Sequence, residues 1–391
     1  MNNGLEHHFG GGVDGSRFWP RPAPITKVLR TLRAQGSVAL FGPRRTGKSS
    51  ILKESARILR SQDKTHIVWL NLEGRVSASG FISMLLGQLP PDTRKGILGH
   101  WAQLPLLPEA LKAAVKLFGS EGQAVGIDSD RLFWEYWEQL ARVVETKIVQ
   151  STRPIAFFFD ELPYFCENQI RAGAPPMAVD MFLATLRRWM QAGIPMAIAG
   201  SIGIREVARR LGLEIDHMND LVNIIITPLE ADEARAMLAA LAKSYGFDWW
   251  KPEHGDAVIA AAADSFPSFL QRAMIEIEGE QAQTPEQIRT TLAGPYRSEF
   301  ERSFFQQFTK RLRHYGDEEK IARQLLAQIA ETGSAPVDQL IEIARAGLMG
   351  LAAAQDLLDA MEEDAFIKID ANNRIASFAY KVVEAWWRAR P

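Results

Sequence analysis

Cysteine is almost absent from this chain, which has one, Cys166, in 391 residues. An internal disulfide framework is therefore excluded, and a reducing compartment is favoured. Long apolar runs are also missing, because none approaches the roughly 18 residues that a membrane span needs. The N-terminal residues lack the apolar core of a signal peptide. We therefore expect a cytoplasmic protein that does not contact a membrane.

A strong charge of one sign is missing too. The net charge is −2 at pH 7, so the field of the whole chain predicts no polyanion partner. Apolar residues make up 47% of the chain, enough for packed cores, and the length predicts about two or three domains. Residues 1–16 are polar and rich in Gly, Asn and His, so we expect them to be mobile.

Strand and helix signals alternate along the first part of the chain. Short apolar runs occupy Ser37–Phe41 and residues 66–72, 155–159, 195–199 and 222–227. Strands that alternate with helices predict an α/β fold with a doubly wound parallel sheet.

Beyond Pro228 the strand signals stop and helical patterns continue. A third pattern begins near Glu299, where three or four helices precede two short strands at residues 366–370 and 374–378. Helices followed by a β-hairpin suggest a winged helix. The predicted domains are an N-terminal arm at 1–36, a core at 37–228, a helical lid at 229–298 and a winged-helix-like domain at 299–391.

The segment after the first apolar run carries the most specific motif. The pattern G-x-x-x-x-G-K-[ST] is matched by Gly42, Pro43, Arg44, Arg45, Thr46, Gly47, Lys48 and Ser49. The glycines let the backbone curl so that N–H groups point at phosphate oxygens, and the following helix directs its positive dipole end at the same anion. Lys48 would reach the β- and γ-phosphates of ATP, and the Ser49 hydroxyl would ligate Mg²⁺. We expect the nucleotide contacts to extend to Ser50.

A chance match to this pattern is the alternative, with odds of roughly one or two in a hundred for a chain of this length. Chance does not place the match between an apolar strand and a helix, so we assign it to nucleotide binding.

An acidic pair follows the third apolar run. Asp160 and Glu161 come directly after Phe157, Phe158 and Phe159, at the strand end where open α/β sheets bind ligands. Asp160 would hold Mg²⁺, and Glu161 would polarise the attacking water as the catalytic residue. The alternative is that both acids cap the next helix. The chain has no N-K-x-D element to read guanine, which favours ATP.

Three further positions are weaker candidates for the site. Ser201, just after the fourth apolar run, would act as a polar sensor of the γ-phosphate, or else it is a turn residue. Arg21 would lie near the adenine side, or its segment would anchor the N-terminal arm. Pro267 would face the nucleotide from the lid, or it simply opens a helix, since proline fits the first helical turn.

These motifs together resemble the archaeal-type ATPases of the STAND branch of the AAA+ superfamily. The resemblance rests on the segments FGPRRTGKSSIL, FFFDEL, AIAGSIG, IIITPLEADEA and DSFPSFLQ, in that order. It implies an AAA+ core, a helical lid and a winged helix, in a switch that couples ATP state to a protein partner or to self-assembly. Residues 92–150 exceed what the minimal core needs and would be a helical insertion that carries partner specificity.

The chain departs from this family at two points. Ser265 stands where the lid motif has Gly, and residues 216–220 contain no Arg before the last core strand. A phosphate-sensing Arg would then come from Arg205, Arg209 or Arg210, supplied between subunits on ATP-dependent self-association. The same stretch can instead be a plain solvated helix face.

DNA binding is disfavoured by the charges of the C-terminal part. Residues 301–391 contain 12 Lys and Arg against 14 Asp and Glu, and the helix in the recognition position, 351–364, carries acids and no basic residue. Phosphates would repel this helix, so we predict a protein-contact or autoinhibitory domain. Two alternatives stay open: a DNA-acting ATPase such as an initiator or transposition helper, and a nucleotide-dependent scaffold with negligible turnover.

Overall fold

A computed structural model describes part of the chain. The described residues are 5–6, 8, 11–74, 76–104, 108, 127–200, 207–208, 211–262, 264–293, 295–313 and 315–389. Within these ranges no helix combines the length and apolar character of a membrane span. The chain forms two compact units: the sheet unit, Pro20–Phe41 with Lys48–Ile225, and the C-terminal unit, Met1–Trp19 with Gly42–Gly47 and Ile226–Pro391.

The sheet unit is built on five parallel strands. They are β1 Ser37–Phe41, β2 His66–Asn71, β3 Ile155–Asp160, β4 Met196–Ala199 and β5 Leu221–Ile225, in the order β2-β3-β4-β1-β5. The first five residues of β3 are buried, as expected for a parallel strand covered on both faces. The predicted doubly wound parallel sheet is therefore confirmed.

One edge of this sheet is formed by β5, whose Val222 and Ile225 side chains are 37% and 72% exposed. Lys27 reaches this strand from the preceding helix and donates from Nζ to the Asn223 carbonyl oxygen at 3.1 Å. The lysine thus occupies a backbone acceptor of the edge strand.

Seven helices surround the sheet in the described part of this unit. They are α1 Pro22–Arg33, α2 Lys48–Gln62, α3 Ala78–Gln88, α4 Pro91–Ala102, α5 Ile127–Val149, α6 Leu162–Arg171 and α7 Pro176–Gln191. The predicted insertion contributes α4 and α5, which are joined by the hydrogen bond that the buried Trp101 indole donates to the Leu140 carbonyl at 3.1 Å. The Trp137 indole donates to the Thr185 hydroxyl at 3.0 Å, so this segment is part of the unit's core.

The first half of the C-terminal unit is helical. Its helices are α8 Ala231–Ser244, α9 Pro252–Ala262, α10 Pro267–Gly279, α11 Pro285–Ala293 and α12 Pro295–Arg313. A capping box of Glu230 and Glu233 fixes the start of α8, because each side chain accepts a backbone N–H of the other residue.

The second half adds a small antiparallel sheet. In chain order come α13 Glu319–Thr332, β6 Ser334–Pro336, α14 Val337–Ala346, α15 Leu351–Glu363, β7 Ile367–Asp370, β8 Ile375–Phe378 and α16 Lys381–Arg388. The sheet order is β6-β8-β7, so the predicted hairpin pairs with a third strand that the sequence pattern did not indicate.

The expected mobility of residues 1–16 is wrong for Leu5. Its side chain is 7% exposed and belongs to the apolar core of the C-terminal unit. The Glu6 amide donates to the Ser16 carbonyl at 2.9 Å, and Glu6 pairs with Arg17 at 3.3 Å. A buried leucine side chain holds this polar segment in place, since burial of one such side chain contributes about 1.5–3 kcal/mol.

Candidate nucleotide-binding site

The loop Gly42–Gly47 has the curled backbone that the motif predicts. Gly42, Arg45 and Gly47 have positive φ values of 126°, 71° and 95°. A Cβ atom on Gly42 would overlap the carbonyl oxygen of Ile226, so only glycine fits there. The Thr46 hydroxyl, fully buried, donates to the Pro43 carbonyl at 2.9 Å and closes the turn.

The helix α2 begins at Lys48, directly after this loop. Its first turn carries Ser49 and Ser50 and no acidic residue, so no carboxylate of its own offsets the positive end of the helix dipole. The Lys48 residue is only 6% exposed. An ammonium group this buried needs anionic neighbours; the Asp160 carboxylate is one, since the charge of Lys48 lowers its pKa, and phosphate oxygens would add to it.

Ser49 and Asp160 are brought together in the sheet unit. The Ser49 hydroxyl donates to the Asp160 carboxylate at the end of β3. Burial raises the pKa of Asp160 more than the Ser49 hydrogen bond lowers it. The charges of Glu161 and Glu73 raise that pKa as well, while the charge of Lys48 lowers it. A buried carboxylate beside a hydroxyl offers the hard oxygen ligands that Mg²⁺ takes in proteins, so these two residues fit the ion.

Glu161 has a strained backbone. Its φ of 62° and ψ of 36° lie in the left-handed region, which costs a non-glycine residue about 1–3 kcal/mol. Its amide donates to the Ala199 carbonyl at 2.8 Å, which holds the peptide at the carboxyl edge of the sheet. Within the described chain its side chain makes no capping hydrogen bond to α6, although it occupies the N-cap position. The helix-capping alternative therefore lacks its defining contact for Glu161.

A third acid at this edge, Glu73, escaped the sequence analysis. It follows β2 closely, and its charge acts on Asp160. Its amide donates to the Asn71 side chain at 3.0 Å, and the next carbonyl, of Gly74, accepts from Asn168 of α6 at 2.8 Å. The available signal was an acid after an apolar strand, the same signal that identified Asp160.

The weaker candidates have mixed outcomes. Arg21 is the N-cap residue of α1. Pro267 is the first residue of α10, as the helix-start alternative for that residue predicts. Their contacts with a nucleotide stay predictions. Ser201 lies outside the described residues, and so do the sensor candidates Arg205, Arg209 and Arg210.

Comparisons with known proteins identify the fold. No protein-family model and no curated protein matches the sequence. In structure the chain is similar to a Walker-type ATPase of Pyrococcus abyssi, with a TM-score of 0.60 at 14% identity over 97% of this chain and 99% of that one. It is also similar to the ORC2 protein of Aeropyrum pernix in its ADPNP–ADP complexes, with a TM-score of 0.51 at 12% identity over 94% and 92%. The predicted P-loop NTPase fold with a doubly wound parallel sheet is confirmed.

Proposed function

We propose that this chain binds ATP with Mg²⁺ and hydrolyses it slowly, as a switch that responds to nucleotide state. The observation that carries the proposal is the hydrogen bond between Ser49 and Asp160. It joins the two motifs that the sequence analysis assigned to one site, although 111 positions separate them in the chain.

Each residue would have a distinct role. The N–H groups of the loop from Gly42 to Gly47 would bind phosphate oxygens, and Lys48 would offset the charge of the β- and γ-phosphates. Ser49 and Asp160 would hold Mg²⁺, which neutralises phosphate charge when bound. Glu161 would accept a proton from the attacking water and orient it. Arg21, Ser50, Ser201 and Pro267 are proposed to complete the nucleotide contacts.

We propose that the switch acts on a protein surface. The order helix, strand, helix, helix and hairpin from α13 to β8 is that of a winged helix, in the proposed domain at 299–391. The acids on α15, in the recognition position, include the exposed Asp356, Asp359, Glu362 and Glu363. A protein partner, or another part of this chain, fits that charge better than DNA does.

ATP turnover at rising protein concentration tests the proposed function. We expect phosphate release from ATP, much less from GTP, and a specific activity that rises with concentration. The rise would reflect self-association in which a neighbouring subunit supplies an Arg to the site. An arginine supplied in this way increases the rate of phosphoryl transfer by roughly 10³–10⁵. Tight ATP binding without phosphate release would select the scaffold alternative. Turnover independent of concentration, from a monomer by light scattering, would contradict the self-association.

Duplex DNA should bind weakly or not at all at physiological salt, and it should not stimulate ATP turnover. The acidic surface of α15 is the reason, since like charges repel. Fluorescence anisotropy with a short labelled duplex, repeated over a salt series, measures this. A steeply salt-dependent affinity of about 10⁻⁸ M or tighter would instead support the DNA-acting alternative.

A further inference from the structure

The last helix of the chain is capped by a residue from a distant loop. The Asp264 carboxylate accepts the backbone N–H of Val382 at 2.8 Å, across 118 positions of sequence. It also accepts from the Lys381 backbone. The Tyr380 side chain, at the N-cap position of α16, makes no capping hydrogen bond in the described chain. Asp264 therefore fills the role that an N-cap side chain normally has.

This contact is partly buried. The Phe266 side chain is fully buried, and its ring centre lies 5.8 Å from that of Tyr380. Burial raises the pKa of Asp264, while the two backbone N–H groups and then the charges of Lys381 and Lys368 lower it. Burial and the charge of Asp264 raise the pKa of Tyr380 to about 12. The N-terminus of α16 thus stabilises the ionised carboxylate at a place where burial disfavours it.

The loop that contains Asp264 is connected to Gly42 of the phosphate-binding loop through Ser265, Leu229 and Ile226. The Ser265 carbonyl accepts the Leu229 amide at 2.9 Å. Leu229 lies three positions after Ile226, whose carbonyl leaves no space for a side chain at Gly42. A shift of the backbone at Gly42 therefore presses on the segment that holds Ser265. Every member of this path belongs to the C-terminal unit.

We propose that Asp264 is a latch that transmits the state of the phosphate-binding loop to α16, and that ATP binding opens it. This inference rests on the proposed function. The latch is closed in this structure, and a displacement passed from Gly42 through Ile226 and Ser265 would lengthen its hydrogen bonds. Hydrogen bonds weaken steeply with misalignment, and a cap of this kind changes a helix equilibrium by about 5- to 30-fold. That size suits a reversible switch.

Amide hydrogen exchange at Val382 in the full chain tests the latch in two arms. In the first, Asp264→Ala should speed exchange of that amide by about 5- to 30-fold without changing the β7–β8 hairpin. Asp264→Asn, which keeps an acceptor oxygen and loses the charge, should have a smaller effect. Glu384→Ala removes an acid from the first turn of the same helix, which pairs with Arg388, and serves as the matched control, with a much smaller effect expected at Val382 than for Asp264→Ala. Unchanged exchange in Asp264→Ala would overturn the latch.

In the second arm, ATP with Mg²⁺ is added. Exchange at Val382 should speed up in the wild-type protein and stay unchanged in Lys48→Ala. ATP that binds in a direct titration while exchange at Val382 stays the same would overturn the coupling and leave the proposed function standing. Failure of the wild-type protein to bind ATP in that titration would overturn both.

Discussion

Replacing Lys48 with alanine should abolish ATP binding. The Lys48 side chain is buried at the start of α2, where the loop from Gly42 to Gly47 ends. The substitution removes the cation that would offset the β- and γ-phosphates, and each charged hydrogen bond contributes about 1.5–3 kcal/mol. The loss is therefore tenfold or more in affinity for each such bond.

Isothermal titration with ATP and Mg²⁺ measures this effect directly, without requiring turnover. Lys53→Ala is the matched control. Lys53 lies on the same helix but outside the motif, and its substitution removes the same charge. We expect the Lys53 variant to bind ATP as the wild-type protein does. Equal ATP affinity in the Lys48 variant would show that the loop is not the phosphate site.

Replacing Glu161 with glutamine should keep ATP and Mg²⁺ binding and slow phosphate release strongly. The amide has the shape of the carboxylate but cannot accept a proton from water, and such a group contributes roughly 10²–10⁴-fold to a rate. The left-handed backbone of Glu161 is retained, because glutamine places the same demands on it. Single-turnover phosphate release, with binding measured on the same sample, separates the two effects.

Glu73→Gln is the matched control for this experiment, since Glu73 is an acid that acts on Asp160 from the neighbouring strand. We expect it to change turnover far less than Glu161→Gln does. A Glu161 variant within about threefold of wild type would remove Glu161 from the catalytic role. An equal loss in the Glu73 variant would assign that role to both acids.

The strands of the sheet unit could be predicted because each is an apolar run set off by polar residues. The strand β1 has the predicted bounds, and the other four differ from the predicted runs by one or two residues at their ends, where backbone pairing and not the side-chain pattern sets the limit. The helix Leu162–Arg171 begins immediately after Glu161, where the sequence analysis had a helix only as the alternative to the catalytic reading of the two acids. The strand Ser334–Pro336 was missed because it has three residues and ends in proline.

The candidate site was only partly predictable, because some of its contacts join segments that are distant in the sequence. A motif with fixed spacing, such as Gly42 to Ser49, can be read from the sequence alone. The approach of Ser49 to Asp160 depends on strand order, since β3 and β1 are both neighbours of β4, and no local pattern encodes that order. Glu73 and the capping of α16 by Asp264 depend on contacts between distant segments in the same way.

The Lys27 contact at the outer strand β5 limits how copies of this chain can join. An exposed strand with apolar side chains such as Ile225 is a template onto which another polypeptide can add by backbone pairing, the route to fibrils and runaway aggregates. The Lys27 ammonium occupies the Asn223 carbonyl on that strand and sets a charge beside it. This contact disfavours pairing between the sheets of neighbouring molecules, so the self-association proposed above would be held by contacts between side chains, which are readily reversed.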